Sequence, residues 1–226
     1  MPETGFWVLL KTAAAPLQFE DFQLWGAPVT RAEWLGAALG LWMVVCNARV
    51  NALGWPLAML SSVLYAVVFL DKHLYGQAAL QVVFVLMAAW GLWEWLRPAG
   101  AWQPALQPRR ASAPVLRNAV VCTLLLWGLL GSLLARTTDN PAPYADALPT
   151  AGSLVATWLL ARQYSDNWWV WLLVNLSAVV LFAQQRLWPT VGLYAVFAVM
   201  SAWGWWMWMR RGGTRPHDNA ALGQVP

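Results

Sequence analysis

The sequence has little charge: Asp, Glu, Lys and Arg together make up 11% of its 226 residues. Soluble domains carry about 25% charged residues and no more than about half apolar residues, whereas this chain is 60% hydrophobic. The composition therefore excludes an ordinary soluble domain and predicts an integral membrane protein. The net charge of +4 does not indicate nucleic-acid binding, because the basic residues flank apolar segments and form no basic face.

Cysteine and histidine are also scarce, with two of each. Cys46 and Cys122 lie within apolar stretches, and the sequence contains no CxxC motif or Cys/His cluster, so we expect neither a disulfide nor a metal site. It also lacks a P-loop, a nucleophile–base pair and a carboxylate in the middle of an apolar stretch. These absences argue against an enzyme, ATP hydrolysis and ion coupling. They predict passive movement of a small molecule, without a cofactor.

Seven apolar segments approach or reach the length of about 20 residues that a membrane span needs. They cover residues 33–49, 54–70, 75–96, 115–135, 146–162, 168–184 and 189–209. The first and fifth are short, so we expect them to pack inside the bundle or to have tilted partners. Residues 1–30 mix aromatic and aliphatic residues with charged ones and show no cleavable signal peptide, which predicts an amphipathic segment lying on the membrane surface.

An internal repeat organises the chain. Residues 35–97 align without a gap with residues 148–210 after a shift of 113 positions. The most informative matched pairs are Arg49/Arg162, Trp55/Trp168, Phe69/Phe182, Phe84/Phe197, Met87/Met200, Trp90/Trp203, Gly91/Gly204, Trp93/Trp206, Trp95/Trp208 and Arg97/Arg210. Tryptophan, glycine and arginine matches are much less expected by chance in apolar segments than leucine or alanine matches. The repeat therefore indicates a duplicated three-helix unit.

The repeat predicts an all-α membrane protein in a 3+1+3 arrangement. Its parts are the interfacial segment 1–30, a three-helix repeat at 31–97, a linker at 98–145 carrying the central helix, a second repeat at 146–210 and a polar tail at 211–226. Equivalent helices are an even number of spans apart, so the two repeats run in the same direction. Parallel repeats occur in transporters, although duplication can also simply double a packing unit.

The loops after the first, third, fifth and seventh spans hold most of the Lys and Arg residues. By the positive-inside rule, this distribution predicts a periplasmic N-terminus and a cytoplasmic C-terminus in a bacterial inner membrane. We expect Arg49 and Arg162 to cap helix ends. The tryptophans around Gly91 and Gly204 are interpreted as aromatic belts beside snorkelling arginines, with the two glycines allowing close helix approach.

Polar residues within the spans are the candidate ligand contacts, because such groups are costly in lipid. Trp168, Trp171 and Asn175 share one helix face, with Asn175 roughly 10 Å deeper in the membrane than Trp168. An amide offers donors and an acceptor to a ligand, but a buried Asn can equally bond two helices together. Its repeat equivalent is the smaller Ser62, and this asymmetry favours a ligand contact at Asn175.

Two further polar positions lie at matched depth in the third and seventh spans. Gln81 shares a face with Phe84, and its repeat equivalent is Tyr194. Asn47, at the end of the first span, is a weaker candidate. The predicted substrate-binding residues are therefore Trp168, Trp171, Asn175, Gln81, Tyr194, Phe84, Asn47 and Ser62.

The WxxWxxxN stretch ending at Asn175, the Leu-Tyr run before Gln81 and the paired GxWxW endings resemble the PnuC family of bacterial vitamin transporters over about residues 30–210. The best-known member carries nicotinamide riboside, and the architecture is similar to that of SWEET sugar transporters. The resemblance implies a homotrimer in the lipid bilayer and facilitated diffusion of the riboside, which is trapped by phosphorylation inside the cell. It also implies that Trp168, Trp171, Asn175 and Gln81 contact the substrate.

Other substrates and other functions also fit these residues. The family also includes carriers of thiamine and other vitamins, and the nicotinamide ring of the riboside and thiamine are both flat cations that aromatic side chains attract. A different class of function is a membrane enzyme or a receptor subunit that does not itself transport.

Overall fold

The computed structural model describes residues 16, 20–24, 27–71, 75–97, 107–139, 142–184, 186 and 188–212. Within these residues the chain forms seven α-helices preceded by two short strands. The helices are α1 (Arg31–Ala48), α2 (Gly54–Asp71), α3 (Tyr75–Leu96), α4 (Ala113–Thr137), α5 (Pro143–Ala161), α6 (Asn167–Gln184) and α7 (Trp188–Gly212). Each of the seven predicted spans is confirmed as a helix, with ends no more than three residues from the predicted ones.

The strands are β1 (Glu20–Leu24) and β2 (Ala27–Thr30), which pair antiparallel with Leu24 opposite Ala27. Thr30 then begins α1 as its N-cap. Its side chain accepts a hydrogen bond from the Glu33 amide, and the Glu33 carboxylate accepts one of 2.9 Å from the Thr30 amide, which is a capping box. Residues 1–15, 17–19 and 25–26 lie outside the described residues, so the interfacial position of segment 1–30 stays a prediction.

Four of the described helices are long and apolar enough to cross a membrane, and the apolar segment Gly54–Leu70 of α2 is slightly shorter. The fifth helix, α5, lies inside the bundle as predicted. Its last two turns are almost entirely buried, whereas in α4 only Ala119 and Gly131 are buried. Large apolar side chains along α3 and α4 are exposed, among them Leu86, Leu125 and Leu129. A surface of this kind fits lipid.

Consecutive helices pack against each other in two groups, α1–α2–α3 and α5–α6–α7, and α4 packs against α5. The groups meet through two reciprocal contacts, α3 with α5 and α1 with α7. The first helix of each group thus touches the last helix of the other. The two groups contain the residues that align in the sequence repeat.

Equivalent helix ends have the same backbone structure. After α1, the Val50 amide bonds the Asn47 carbonyl at 3.0 Å, and the Asn51 amide bonds the Cys46 carbonyl at 2.9 Å. After α5, Gln163 and Tyr164 bond the carbonyls of Leu160 and Leu159, both at 2.9 Å. Both ends are Schellman motifs, with Val50 and Gln163 at φ 56° and 61°.

The arginines take the positions expected for caps. Arg49 is the C-cap residue of α1, and Arg162 is the C-cap residue of α5. The prediction that these two residues cap helix ends is confirmed.

The corners that follow these helices differ in their side chains. Between α1 and α2, the Asn47 side chain packs so closely over Gly54 that a Cβ there would overlap its amide. At the equivalent corner Leu160 stands in place of Asn47, and Asn167 stands in place of Gly54. Both asparagines are buried. Each corner therefore holds one buried amide. In the first repeat it belongs to the end of the first helix, and in the second repeat it belongs to the start of the second helix.

The core between the two helix groups contains a chain of four indole rings, which we call the tryptophan tetrad: Trp55, Trp95, Trp208 and Trp168. Neighbouring ring centroids lie 5.5, 6.5 and 5.7 Å apart in that order, and the two outer contacts are edge-to-face. All four side chains are at most 4% exposed. Since Trp55 and Trp95 are the repeat equivalents of Trp168 and Trp208, the tetrad reads the same from either end.

The two inner rings also bond the opposite helix group. The Trp95 indole N–H donates to the Ala161 carbonyl at 3.1 Å, and the Trp208 indole N–H donates to the Asn47 carbonyl at 3.0 Å. The interpretation of the tryptophan–glycine blocks as aromatic belts is therefore wrong for Trp95 and Trp208. These rings face the core, where each buried indole N–H has a backbone carbonyl acceptor at the end of α5 or α1.

Trp93 and Trp206, which lie two residues before the inner tetrad rings, have the exposure and the arginine partners that the belt interpretation requires, and the interpretation stays a prediction for them. They are 52% and 45% exposed. The guanidinium carbon of Arg97 lies 3.3 Å from the Trp93 ring centre, and that of Arg210 lies 3.8 Å from the Trp206 ring centre. These pairs are cation–π contacts at equivalent positions of the two repeats.

Two glycines make room for the outer tetrad rings. A Cβ on Gly204 would lie 2.6 Å from the Trp168 ring, and a Cβ on Gly91 would overlap the Trp55 ring in the same way. The prediction that these glycines allow close approach is confirmed, and the neighbour that approaches is an indole ring.

We therefore expect Gly204→Ala to destabilise the protein by about 1–3 kcal/mol through overpacking, which corresponds to a fall in Tm of roughly 2–12 °C for a chain of this size. Gly192→Ala on the same helix is the control, because no atom lies within 4 Å of its Cβ position. Thermal unfolding of detergent-purified protein measures both. Equal Tm values for the two variants would contradict the close packing.

Candidate functional site

The predicted site residue Asn175 lies deep in the bundle, on α6, and is 5% exposed. Its amide nitrogen donates to the Ser201 hydroxyl on α7 at 3.2 Å, and that hydroxyl donates to the Phe197 carbonyl at 2.8 Å. The repeat equivalents are Ser62 and Ala88, which cannot form this bond. A polar link between the last two helices is thus unique to the second repeat.

Aromatic rings line the same two helices on the side of Asn175 away from the tetrad. Tyr194 stacks on Phe182 with ring centroids 5.3 Å apart and an angle of 25°, and it meets Phe197 edge-on at 6.2 Å. All three rings are half-buried. We call Phe182, Tyr194 and Phe197 the aromatic cluster. Its ring faces and edges can hold a flat aromatic ligand.

The aromatic cluster reaches the other helix group. A Cβ on Gly40 would lie 3.6 Å from the Phe197 ring and 3.9 Å from the Ser61 hydroxyl, so α1, α2 and α7 meet at this point. The Ser61 hydroxyl donates to the Gly36 carbonyl at 2.9 Å. One turn further along α2, Tyr65 packs over Gly36 and stacks on Phe69 at 6.1 Å. Polar and aromatic groups from both repeats thus converge beside Asn175.

The structure places Trp168 and Asn47 elsewhere. Trp168 is an outer ring of the tetrad, and the Asn47 carbonyl accepts the hydrogen bond from Trp208. Both lie at the end of the bundle where α1, α3, α5 and α7 terminate. The structure therefore brings Asn175 and Tyr194 onto one pair of helices but puts Trp168 and Asn47 into the packed core near one membrane face.

The remaining predicted residues are Trp171, Gln81, Phe84 and Ser62. All four are half-buried. The serine that forms the interhelical bond in α2 is the neighbour of Ser62, the buried Ser61. Among the described residues, no group of three His, Cys, Asp or Glu side chains could hold a metal ion.

Sequence reasoning missed several residues of this region. Ser201 shares a helix face with Tyr194 and Phe197, but it was not predicted to bind Asn175. Phe182 is aligned with Phe69 in the sequence repeat, and this match could have marked it as a candidate site residue. Ser61 and Tyr65 have no such signal, because their equivalents are Val174 and Ala178.

Two grooves lie on the outer sides of the helix pairs. One of about 400 Å³ lies between α2 and α3, and one of about 300 Å³ lies between α6 and α7. The second is lined by Trp168, Ser201 and exposed residues such as Trp169 and Trp206. Most residues lining the first groove are repeat equivalents of those lining the second.

Comparison with known proteins agrees with this architecture. The chain matches the nicotinamide mononucleotide transporter family over residues 30–210. It is similar to the riboflavin/roseoflavin transporter RibM of Streptomyces davaonensis, with 26% identity over 86% of this chain and 93% of the relative. It is also similar to the nicotinamide riboside transporter PnuC of Escherichia coli, with 22% identity over 81% of this chain and 87% of the relative.

A solved structure shares the fold. The crystal structure of the vitamin B3 transporter PnuC matches with a TM-score of 0.65 and 20% identity, over 80% of this chain and 81% of that one. Three findings lead to the same assignment: the fold shared with this structure, the helices long enough to cross a membrane, and the family match over most of the chain. The chain belongs to the nicotinamide mononucleotide transporter family, a family of membrane transporters.

Proposed function

We propose that the protein takes up nicotinamide riboside across the bacterial inner membrane by facilitated diffusion, with phosphorylation inside the cell driving accumulation. The observation that carries the proposal is the Asn175–Ser201 pair beside the aromatic cluster. An amide and a hydroxyl can bond the ribose hydroxyls or the carboxamide of the riboside. The neighbouring rings can stack on the nicotinamide ring, and their faces attract its positive charge.

The other predicted contacts belong to the proposal as well. We propose that Trp168, Trp171 and Gln81 contact the substrate, as the family resemblance implies, with Phe84, Ser62 and Asn47 as further contacts. Trp168 is buried in the tetrad in this conformation. It would reach the substrate when the helices move during the transport cycle.

Uniport is supported by where the acidic residues stand. Glu33 and Asp146 lie in the first turns of α1 and α5, and Glu94 lies in the last turn of α3. Asp71 is the last residue of α2. Carboxylates that relay protons or bind coupling ions lie deep within membrane spans, whereas these four lie in the first or last turn of their helices.

We also propose the 3+1+3 arrangement of the helices, on three structural grounds. The matched Schellman motifs, the symmetric tetrad and the reciprocal contacts of α3 with α5 and of α1 with α7 support two parallel repeats. Arg49, Arg97, Arg162 and Arg210 gather where α1, α3, α5 and α7 end, which supports a cytoplasmic location for this end. The resemblance to the PnuC family favours a homotrimer.

Riboflavin is the second candidate substrate, because RibM, whose name gives riboflavin and roseoflavin as its substrates, matches 86% of the chain. The larger isoalloxazine ring can also stack on the aromatic cluster, and its ribityl chain can bond Asn175. Thiamine is a further alternative within the family. A receptor subunit that does not transport is a different class, and transport by the purified protein alone would exclude it.

Purified protein in liposomes should exchange labelled nicotinamide riboside for unlabelled riboside, and the rate should not change when ionophores abolish ion gradients. Competition by unlabelled riboside, riboflavin and thiamine measures the substrate preference in the same assay. Exchange of riboflavin with no exchange of the riboside would overturn the substrate assignment. A rate that depends on a proton or sodium gradient would overturn uniport.

Asn175→Ala should weaken substrate binding by roughly 5- to 100-fold, because it removes a buried hydrogen-bonding group worth about 1–3 kcal/mol. Ser177→Ala is the matched control, since the Ser177 hydroxyl donates to the Val174 carbonyl of its own helix. Ligand titration by calorimetry or fluorescence measures the Kd. A lower Tm with an unchanged Kd would show that Asn175 only joins α6 to α7.

A further inference from the structure

Four side-chain hydrogen bonds or ion pairs join the two helix groups at one end of the bundle. The indoles of Trp95 and Trp208 bond the carbonyls at the ends of α5 and α1. Arg162 pairs with Glu94 at 2.9 Å, and Arg211 donates to the Arg49 carbonyl. We call this end, where α1, α3, α5 and α7 terminate, the α7 end.

The α7 end is also tightly sealed. The tetrad rings are between 0 and 4% exposed, and Ala48 and Ala161, which pack against them, are fully buried. The seal crosses the interface between the helix groups, because its central contact joins Trp95 of one group to Trp208 of the other. A solute moving between the two groups cannot pass this point while the four rings remain in contact.

The seal contains polar atoms whose hydrogen bonds are not satisfied. Within the described part of the chain, the buried indole nitrogens of Trp55 and Trp168 and the buried amide oxygens of Asn47 and Asn167 have no hydrogen-bond partner. They form two sets, one in each repeat, and each set has one donor and one acceptor. Burying such groups without a partner costs free energy, so the closed seal is less stable than its packing alone would make it.

We propose that the tryptophan tetrad is a transport gate at the α7 end, a proposal that rests on the proposed transport function. The gate opens when α3 separates from α5 and α1 separates from α7, which breaks the reciprocal indole–carbonyl bonds. Opening also exposes the two sets of unsatisfied donors and acceptors to water and to the hydroxyl groups of a passing substrate. Their new hydrogen bonds offset part of the free energy lost with the ring contacts. The tetrad therefore has two accessible states, closed and open.

The candidate site lies on the inner side of the gate. Near the aromatic cluster, Phe197 of one helix group packs against Gly40 of the other. Along α7, Ser201 and its partner Asn175 lie between this contact and the tetrad ring of Trp208. A substrate that has reached Asn175 from the opposite membrane face would therefore leave at the α7 end only after the gate opens.

Cysteine accessibility tests the gate without any substrate. Cys46 and Cys122 are the two cysteines of the sequence, and replacing both by Ala gives a background for a single reporter. Ala48→Cys places a small thiol beside the tetrad, and Ala161→Cys places one at the equivalent position. The rate of modification by a charged, membrane-impermeant methanethiosulfonate reports how often the α7 end opens.

Trp95→Phe with Trp208→Phe keeps two aromatic rings and removes both indole–carbonyl bonds. Modification of either reporter should become at least roughly tenfold faster, since two buried hydrogen bonds hold the closed state. Trp93→Phe with Trp206→Phe is the matched control, because these exposed rings lie on the same helices outside the tetrad. Its modification rate should stay within about twofold of the parent protein.

An unchanged rate in the Trp95/Trp208 variant would overturn the gate, and so would an equal increase in the control. If the double variant does not purify as folded protein, Trp208→Phe alone and Glu94→Gln take its place, with a faster rate expected for each and an unchanged rate again overturning the gate. Failure of riboside transport would leave these rates interpretable and would count against the substrate or the transport proposal. Normal transport with unchanged rates would count against the gate alone.

Discussion

The contact on which the rest of the structure depends is the pair of hydrogen bonds between indole N–H groups and helix-terminal carbonyls. A helix ends with carbonyls that have no partner in the helix, and inside a membrane protein these need donors from elsewhere. Here the last helix of each group supplies a Trp to the first helix of the other. Because the two bonds are reciprocal, they join α3 to α5 and α7 to α1. The tetrad therefore lies between the two helix groups.

The tetrad in turn explains the small residues around it. Trp55 and Trp168 are large rings at the start of α2 and α6, and they fit beside α3 and α7 only because Gly91 and Gly204 have no side chain. Ala48 and Ala161 fill the remaining space at the ends of α1 and α5. Large and small residues thus complement each other across the contact, and the same complement occurs in both repeats. The aromatic cluster is packed less symmetrically, because Phe182 stacks on Tyr194 whereas its repeat equivalent Phe69 stacks on Tyr65.

Much of this fold could be predicted from the sequence, because helix positions follow from apolar length and the repeat follows from matched residues. The orientation of individual tryptophans could not. Trp93 and Trp95 are two residues apart on α3, so they point to different sides of the helix, yet their sequence surroundings are alike. Only the neighbouring helix decides that Trp95 is buried and Trp93 is exposed. The same holds for Asn175, whose partner Ser201 is on another helix and has no polar equivalent in the first repeat.

Asn47 and Asn167 show what this dependence on neighbours means for exchanging residues between the repeats. Each repeat has one buried amide at the corner between its first two helices, but the amide belongs to different helices in the two repeats. Gly54→Asn, which copies the second repeat into the first, would place a side chain on top of the Asn47 amide. Asn47→Leu, the other half of the same exchange, would leave this corner without a buried amide. The two repeats are therefore no longer interchangeable parts, even though their backbones match closely at this point. Symmetry persists in the backbone, while each corner has become committed to its own pair of side chains.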